Sequence, residues 1–250
     1  MLSILFKEIE RFDANHLVKV FVSDNASTDE TVDFLRQIDK SFFEFASHPV
    51  NIGGDANIKN GLIQAKSKYL WILGDDDYPA PGLLELLVNF LLKKSPRLVY
   101  LPASWSNSPL LNLPSTFIVD EPKTLNAINF VKLVNVKMTF ISSFVMDLDF
   151  HKNSANRSFE LLFRSTNFEQ LGVLIPLVAN DQALCVFNKS CIYATGNVDF
   201  KYSLIDAFGI DLPRLLRLAL VNQPYLLRII LNKLVVAYLP AFIVGTKSKS

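Results

Sequence analysis

Apolar positions recur at two periods along this chain, and over its first hundred residues the two alternate. Leu2, Leu5, Phe6 and Ile9 fall at helical spacing and predict an amphipathic helix over 2–12. Leu17-Val18-Lys19-Val20-Phe21-Val22 predicts a buried strand, after which Ser27 or Thr28 can cap a helix running through Val32, Phe34, Leu35 and Ile38. A short strand over about 43–47 follows. Asp55 then caps a helix to about 65, and Tyr69 to Leu73 forms the next strand. Strand and helix alternating at these spacings predict an α/β fold, a mostly parallel sheet flanked by helices. Beyond Pro79 and Pro81-Gly82, Leu83 to Leu92 predicts an apolar helix ended by Lys93-Lys94-Ser95-Pro96, and residues 98–101 another strand.

The second half is less regular. Residues 102–122 hold four prolines, at 102, 109, 114 and 122, and read as a loop with an edge strand. A helix is predicted over 124–135, a strand over 140–146, a helix over about 168–179, and short strands at 183–187 and 192–193. From Leu212 the pattern becomes one or two very apolar helices carrying Arg214, Arg217, Arg228 and Lys233, broken at Pro224 and Pro240. The uninterrupted apolar piece, 234–245, is 12 residues long, short of the roughly 20 that span a bilayer. Two readings stand side by side: an interfacial segment on a membrane through 212–245, and a helical pair docked on the domain or in an oligomer. The expected division is a main domain over 1–200 and a basic apolar segment over 201–250.

Composition narrows the function classes. The chain has 250 residues, half of them hydrophobic, and a net charge of +1. That excludes disorder and a nucleic-acid-binding polycation. The balance hides a gradient: from Lys201 onward seven Lys or Arg face two Asp, a local +5, leaving −4 for residues 1–200. Cys185 and Cys191 lack a Cys-x-x-Cys or His partner, so a reduced, cytoplasmic setting is expected and a zinc site is not. The first residues do not have the pattern of a signal peptide.

The chemistry concentrates in Leu73-Gly74-Asp75-Asp76-Asp77. Three adjacent carboxylates raise one another's pKa unless a cation or hydrogen-bond donors compensate. An all-oxygen set favours a hard ion, Mg²⁺ or Mn²⁺, whose shell is completed by water and phosphate. The plain alternative is a solvated turn. Asp24 closes the strand before it and is either a turn residue bonding its own backbone or a carboxylate at the carboxyl end of a parallel strand, where open α/β sheets bind ligands.

Taken together, Val22-Ser23-Asp24-Asn25-Ala26-Ser27-Thr28-Asp29, Asn51-Ile52-Gly53-Gly54-Asp55-Ala56-Asn57 and Leu73-Gly74-Asp75-Asp76-Asp77 resemble the family 2 glycosyltransferases. Within that family they are most similar to the abequosyltransferase-like enzymes of bacterial surface polysaccharide (O-antigen) synthesis. The resemblance covers about residues 2–101. It implies a GT-A type fold and transfer, with inversion, of a sugar from a nucleoside diphosphate donor to a glycan, notably a lipid-linked one, by an enzyme that is cytoplasmic or peripheral on the inner face of the plasma membrane. It places Asp24, Asn25, Asn51, Gly53, Asn57 and Asp75 around the donor, and Asp76 and Asp77 at the metal, as a DXD-like motif. The family's Glu-Asp pair falls on Glu169-Gln170. Gln cannot be a general base, so Glu169 is the candidate, with Asp147, Asp149 or Asp181 as substitutes. The family's first strand and its Pro-Thr-Tyr-Asn-like turn find no match ahead of the helix at 2–12, so a domain incomplete at its N-terminus is expected. The competing class is a non-catalytic or impaired remnant that keeps the nucleotide-sugar-binding fold. A phosphatase using Asp75 as nucleophile lacks the Thr of an Asp-x-Asp-x-Thr order.

Overall fold

A computed structural model of the chain describes residues 1–114, 117, 119–153, 157–195 and 203–241. The first run of elements is α1 (Leu2–Arg11), β1 (Val20–Asp24), α2 (Thr31–Arg36), β2 (Phe43–Ser47), α3 (Gly54–Gln64), β3 (Tyr69–Trp71), β4 (Tyr78–Pro79), α4 (Leu83–Lys94), β5 (Leu98–Tyr100) and β6 (Ala103–Ser106). There follow β7 (Lys123–Leu125), α5 (Ala127–Val134), β8 (Phe144–Asp147), α6 (Leu148–Asn153), α7 (Arg157–Phe163), α8 (Leu171–Ala179), β9 (Leu184–Val186) and β10 (Ile192–Thr195). The chain's C-terminal part contains α9 (Leu204–Asp206), α10 (Leu212–Ala219) and α11 (Pro224–Lys233). The boundary expected between residues 200 and 201, and the end of the apolar segment at 242–245, lie outside the described residues.

The central sheet has five strands in the order β3-β8-β5-β9-β7. β3, β5 and β9 share one direction; β8 enters antiparallel between β3 and β5, and β7 closes the far edge antiparallel to β9. The parallel majority is thus interrupted by a strand that comes from the second half of the chain. β1 and β2 form a separate parallel pair, and β6 pairs with β10, which also takes β4.

Period-two side chains divide the central sheet between two cores. Leu98, Tyr100, Phe144, Met146, Leu184 and Val186 face one cluster with α5, α8, α10 and α11, while Val99, Val145 and Cys185 face another with α4. Leu212, Leu215, Leu216, Leu226, Ile230 and Leu234 belong to the first cluster, so the inner face of the C-terminal helices is docked on the domain. Each such side chain contributes about 1.5–3 kcal/mol when fully buried. A third cluster joins α1, α2 and β2, and Val20, Val22 and Trp71 lean on it from β1 and β3. Glu8 of α1 accepts from the backbone N–H groups of Gly82 and Leu84, setting a carboxylate at the positive end of α4.

Several boundaries differ from the expected ones. The helix over 124–135 begins instead as an edge strand, because Thr124 and Leu125 complete the ladder on β9; Asn126 then caps α5 through the N–H of Asn129. In 140–146, Ile141–Ser143 is a 3₁₀ turn and only Phe144 onward is strand. Gly53, not Asp55, stands at the start of α3, and α2 starts at Thr31 rather than after Ser27 or Thr28.

Candidate functional site

The site is built from the three loops that leave β1, β2 and β3. Asp24, the last residue of β1, is 4 % exposed. Its carboxylate accepts from the Ser27 N–H and the Ser47 hydroxyl. Burial pushes its pKa up, but those bonds outweigh it and hold the group below the ordinary value. Asp24 is therefore a carboxylate kept ionised in a nearly dry place, held by Ser27 of its own turn and by Ser47 at the end of β2.

The next two loops are laced together by amides. Asn25 donates to Asn51 Oδ1 at 3.1 Å and accepts from the Ile52 N–H at 2.9 Å, and Asn51 Oδ1 also takes the Gly53 N–H. Gly53 has φ +85°, a backbone that a side chain would strain. One turn into α3, Asn57 is bonded twice to Ser23: its Oδ1 accepts from the Ser23 hydroxyl at 2.6 Å, and its Nδ2 donates to the Ser23 carbonyl at 3.0 Å. Asn60 reaches the same hydroxyl at 3.3 Å. Asn57 and Asn60 are thus pins between α3 and β1, not an ordinary polar face.

After β3 the chain makes a tight acidic turn that sorts its three carboxylates. Asp75 and Asp76 are exposed, whereas Asp77 is 5 % exposed and folds beneath the turn. There it accepts from the Ser142 hydroxyl, which itself takes the Gly74 N–H at 2.9 Å. Burial, with repulsion from Asp76 and Asp75, pushes the Asp77 pKa up to about 6, against the lowering effect of the Ser142 bond. A Cβ on Gly74 would lie 2.8 Å from Asp77 Oδ2 and 3.3 Å from Asp76 Oδ1. Glycine is required because the carboxylates fold back over it. Thr195 donates to the Asp76 carbonyl at 2.7 Å and Trp71 Nε1 to the Ser142 carbonyl at 2.8 Å, fixing both ends of the turn. The start of α1 lies near enough for Asp75 to offset part of the burial that lowers the Met1 ammonium pKa.

The expected ligand set is rearranged by this sorting. Asp77, expected at the metal beside Asp76, is turned inward as a buttress. Among the described residues no three carboxylate, His or Cys groups converge as a ready cage. Two exposed carboxylates still fit a hard divalent ion, because such ions commonly take one or two from protein and the rest from water and phosphate.

The candidate bases separate sharply. Asp147 is 0 % exposed and bonded to Arg97 at 2.7 Å. It pairs in register with Tyr69, the first residue of β3, whereas the acidic turn follows the strand's other end. Asp147, expected as an alternative base, is committed to Arg97 and the Phe150 N–H. Asp181 caps α5 through the Ala127 N–H. Glu169 behaves differently. It is 5 % exposed, its Oε2 accepts from the Ser165 N–H at 3.1 Å, and it lines a cavity of about 190 Å³ with Lys59, Asn60 and Arg164. Burial first, then the charge of Asp55, pushes its pKa up, against Lys59 and Arg164. Asp55 bridges α3 to this loop by accepting from the Asn167 N–H at 2.6 Å. Gln170, in the second position of the expected pair, is committed to the Thr139 carbonyl at 2.8 Å. α3 therefore joins the two halves: Asn57 and Asn60 hold β1, and Asn60 and Lys59 face the Glu169 cavity.

Ser142, Ser23 and Ser47 were not singled out in the sequence. Ser142-Ser143 inside an otherwise apolar run was the available signal: a hydroxyl at a buried position needs a polar partner.

Residues 9–144 match the model of the family described as "Glycosyl transferase family 2". No curated protein matches the chain in sequence. Among solved structures, S. aureus TarS 1-349 is similar with a TM-score of 0.64 at 16% identity, covering 91% of this chain and 66% of that one. TarS 1-349 in complex with UDP gives a TM-score of 0.62 at 16% identity over 86% and 62% of the two chains. TarS 1-349 in complex with UDP-GlcNAc gives 0.58 at 16% identity over 83% and 58%. The chain thus spans about three-fifths of those chains, and the likeness is one of fold, a mixed α/β GT-A-like arrangement.

Proposed function

Since the chain belongs to glycosyl transferase family 2, its match covering more than half of the sequence, we propose that it transfers a sugar from a nucleoside diphosphate donor to a glycan acceptor. The observation that carries this reading is the sorted acidic turn, in which Asp75 and Asp76 face outward while Asp77, Ser142 and Gly74 hold them from below. That similar structures contain UDP and UDP-GlcNAc adds support for a nucleotide donor.

In this reading Asp24 and the Asn25–Asn51–Gly53 lacing border the base and ribose, with Asn57 holding the lacing to β1. Asp75 and Asp76 face the diphosphate. Asp75 and Asp76 would hold a Mg²⁺ or Mn²⁺, which would supply Lewis-acid neutralisation of the leaving diphosphate. Without compensation two exposed carboxylates repel that group, so they fit a cation-bound donor better than a free one. Glu169 takes the proton of the acceptor hydroxyl as it attacks the anomeric carbon from the face opposite the diphosphate, giving inversion. A raised pKa suits a carboxylate to that task. The acceptor is a lipid-linked precursor of a surface polysaccharide, handled at the cytoplasmic face of the membrane, as the resemblance of the three motifs to the abequosyltransferase-like enzymes implies.

The test is calorimetry with Mn²⁺ and UDP, CDP, GDP and dTDP in turn. Metal-dependent binding of one nucleotide, lost in Asp76→Asn, is the expected result. Binding of none overturns the proposal. A second reading, an impaired or non-catalytic remnant, draws on a specific feature: among the described residues β1 pairs with β2 alone and β3 with β8 alone, so each has one unpaired edge. A labelled-donor assay for hydrolysis and transfer separates the readings. Nucleotide binding without turnover favours the second.

A further inference from the structure

Outside the acidic turn, the surface least explained by folding is the outward side of the C-terminal helices. The helix over Pro224–Ala241 has the length and composition of a membrane-crossing segment, 18 residues, yet only 17% of it is buried. Leu226, Ile230 and Leu234, spaced four apart, are the buried side. Tyr225, Val235 and Val236 are respectively 55%, 60% and 76% exposed, and Arg228 and Asn232 fall with them on the opposite side by helical spacing. The preceding helix repeats the pattern: Ile210, Leu218 and Val221 are exposed and fall on one side with Arg214 and Arg217. Between the two helices runs a groove of about 350 Å³, with Ile210, Pro213, Leu231, Val235 and Leu239 as apolar walls and Arg217 as its cation.

Large apolar side chains left uncovered along both helices mark an interaction surface. What distinguishes its occupant is charge. Over the described residues 203–241, Arg214, Arg217, Arg228 and Lys233 face Asp206 and Asp211, a local +2, so the segment with the uncovered apolar side is also basic. Arg214 is tied to Asp211 at 3.4 Å; among the described residues Arg217 and Arg228 are in no such pair. A second copy of the chain meeting this side symmetrically would set these cations against their own copies, without counter-charge. A crossing helix fits poorly too, because one side is committed to the core and Arg228 and Lys233 interrupt the stretch.

We infer that α10 and α11 form a peripheral docking element for an anionic lipid bilayer, with Val235, Val236, Leu218 and Tyr225 entering the interface and Arg217 and Arg228 meeting lipid phosphates. Aliphatic side chains interleaved with Arg on the exposed side of a helix suit this geometry, in which the helix lies in the plane of the surface. The inference deepens the membrane-side setting proposed for the enzyme but concerns a different surface from the donor site.

The test uses the full chain, without donor or acceptor, and flotation with phosphatidylcholine vesicles that contain or lack phosphatidylglycerol. The chain is expected to float with the anionic vesicles and not with the neutral ones. Arg217→Gln and Arg228→Gln should each weaken binding about fivefold, the factor equivalent to about 1 kcal/mol per surface cation. Val235→Asp with Val236→Asp should abolish it, and urea midpoints should match the parent because all four positions are exposed. Equal binding to neutral vesicles, no binding to either, a dimer in sedimentation whose formation the Val pair abolishes, or variants that bind like the parent would overturn the inference. Loss of sugar transfer leaves this readout untouched, so the two proposals fail independently.

Discussion

The strands at the centre of the sheet and the strands that bear the candidate site are covered to different degrees. β5, β8 and β9 are buried at every position, on both faces. β3 is half-buried throughout, and in β1 only Asp24 is buried while Phe21 is exposed. The difference lies in neighbours. Among the described residues β5 and β9 each have a strand on both sides, as does β8, while β1 and β3 each have one. Parallel strands are normally found covered on both faces, so the strands that lead to Asp24, Asp75 and Asp76 are less enclosed than the central ones. Carboxylates sort by the same division. Asp147, in the covered sheet, is spent on Arg97; past the open end of β3, Asp75 and Asp76 are exposed.

The widest gap between the two regions should appear in core truncation. Phe144→Ala removes a fully buried ring beside Tyr100 and should cost about 3–5 kcal/mol in urea unfolding. Phe21→Ala, on a strand position 36% exposed, should cost less than about 1 kcal/mol. Equal losses would erase the comparison and show that β1 is as tightly held as β8.

Next in size is the ion pair of the covered sheet. Arg97→Met leaves Asp147 buried without its partner and should cost about 3 kcal/mol, at the low end for a broken buried pair because Arg97 is itself 36% exposed. Metal-dependent nucleotide binding should stay as in the parent. A parallel loss of binding would return Asp147 to the site.

Much of this division was legible in local pattern, and the rest depended on partners far along the chain. The runs at 98–101 and 183–187 identified the buried strands because an apolar residue at every position has only one use in a sheet. Lys93-Lys94-Ser95 marked the end of α4, where Ser95 takes the left-handed conformation. Spacing could not reveal that β8 inserts between β3 and β5, and that insertion decides Asp147. Nor could it reveal that Asp77 bonds to Ser142, 65 residues away, although three adjacent carboxylates did signal that compensation was needed. Asp55 is instructive. A helix cap was the local reading, and the structure spends the carboxylate on Asn167 instead, tying the donor loops to the Glu169 loop. Nor could spacing show that Asn57 is pinned to Ser23, which belongs to another element.

The third prediction concerns pH. Asp77 carries a folded-state pKa of about 6 against an ordinary 3.8. The folded state therefore holds a proton that the unfolded state has released between those values, and stability falls as pH rises through that window. The sign is opposite to that of Asp24, whose lowered pKa adds stability that is lost on acidification. Asp77→Asn should remove the fall and be more stable than the parent above pH ~6, on the order of 2 kcal/mol. Urea unfolding across pH 4–8 reads it directly. An unchanged slope would mean that the burial of Asp77 is relieved by something other than protonation.

The smallest effect isolates the turn from the strands around it. In Gly74→Ala the added carbon meets Asp77 Oδ2 at 2.8 Å and Asp76 Oδ1 at 3.3 Å, so the side chains must swing rather than the backbone yield. The tighter contact is with Asp77, so moving the exposed Asp76 alone does not relieve it, and Asp77 must swing away from Ser142. The expected consequence shows in both readouts: nucleotide affinity in Mn²⁺ about tenfold weaker, equivalent to about 1.4 kcal/mol, and stability in urea lower by about 1 kcal/mol for the lost hydrogen bond. A lower midpoint with affinity intact would mean that the outward carboxylates do not meet the nucleotide. Because the covered sheet is untouched in either case, this substitution tests whether the open end of the fold is loosely packed by default or held open by a turn built to present two of its three carboxylates.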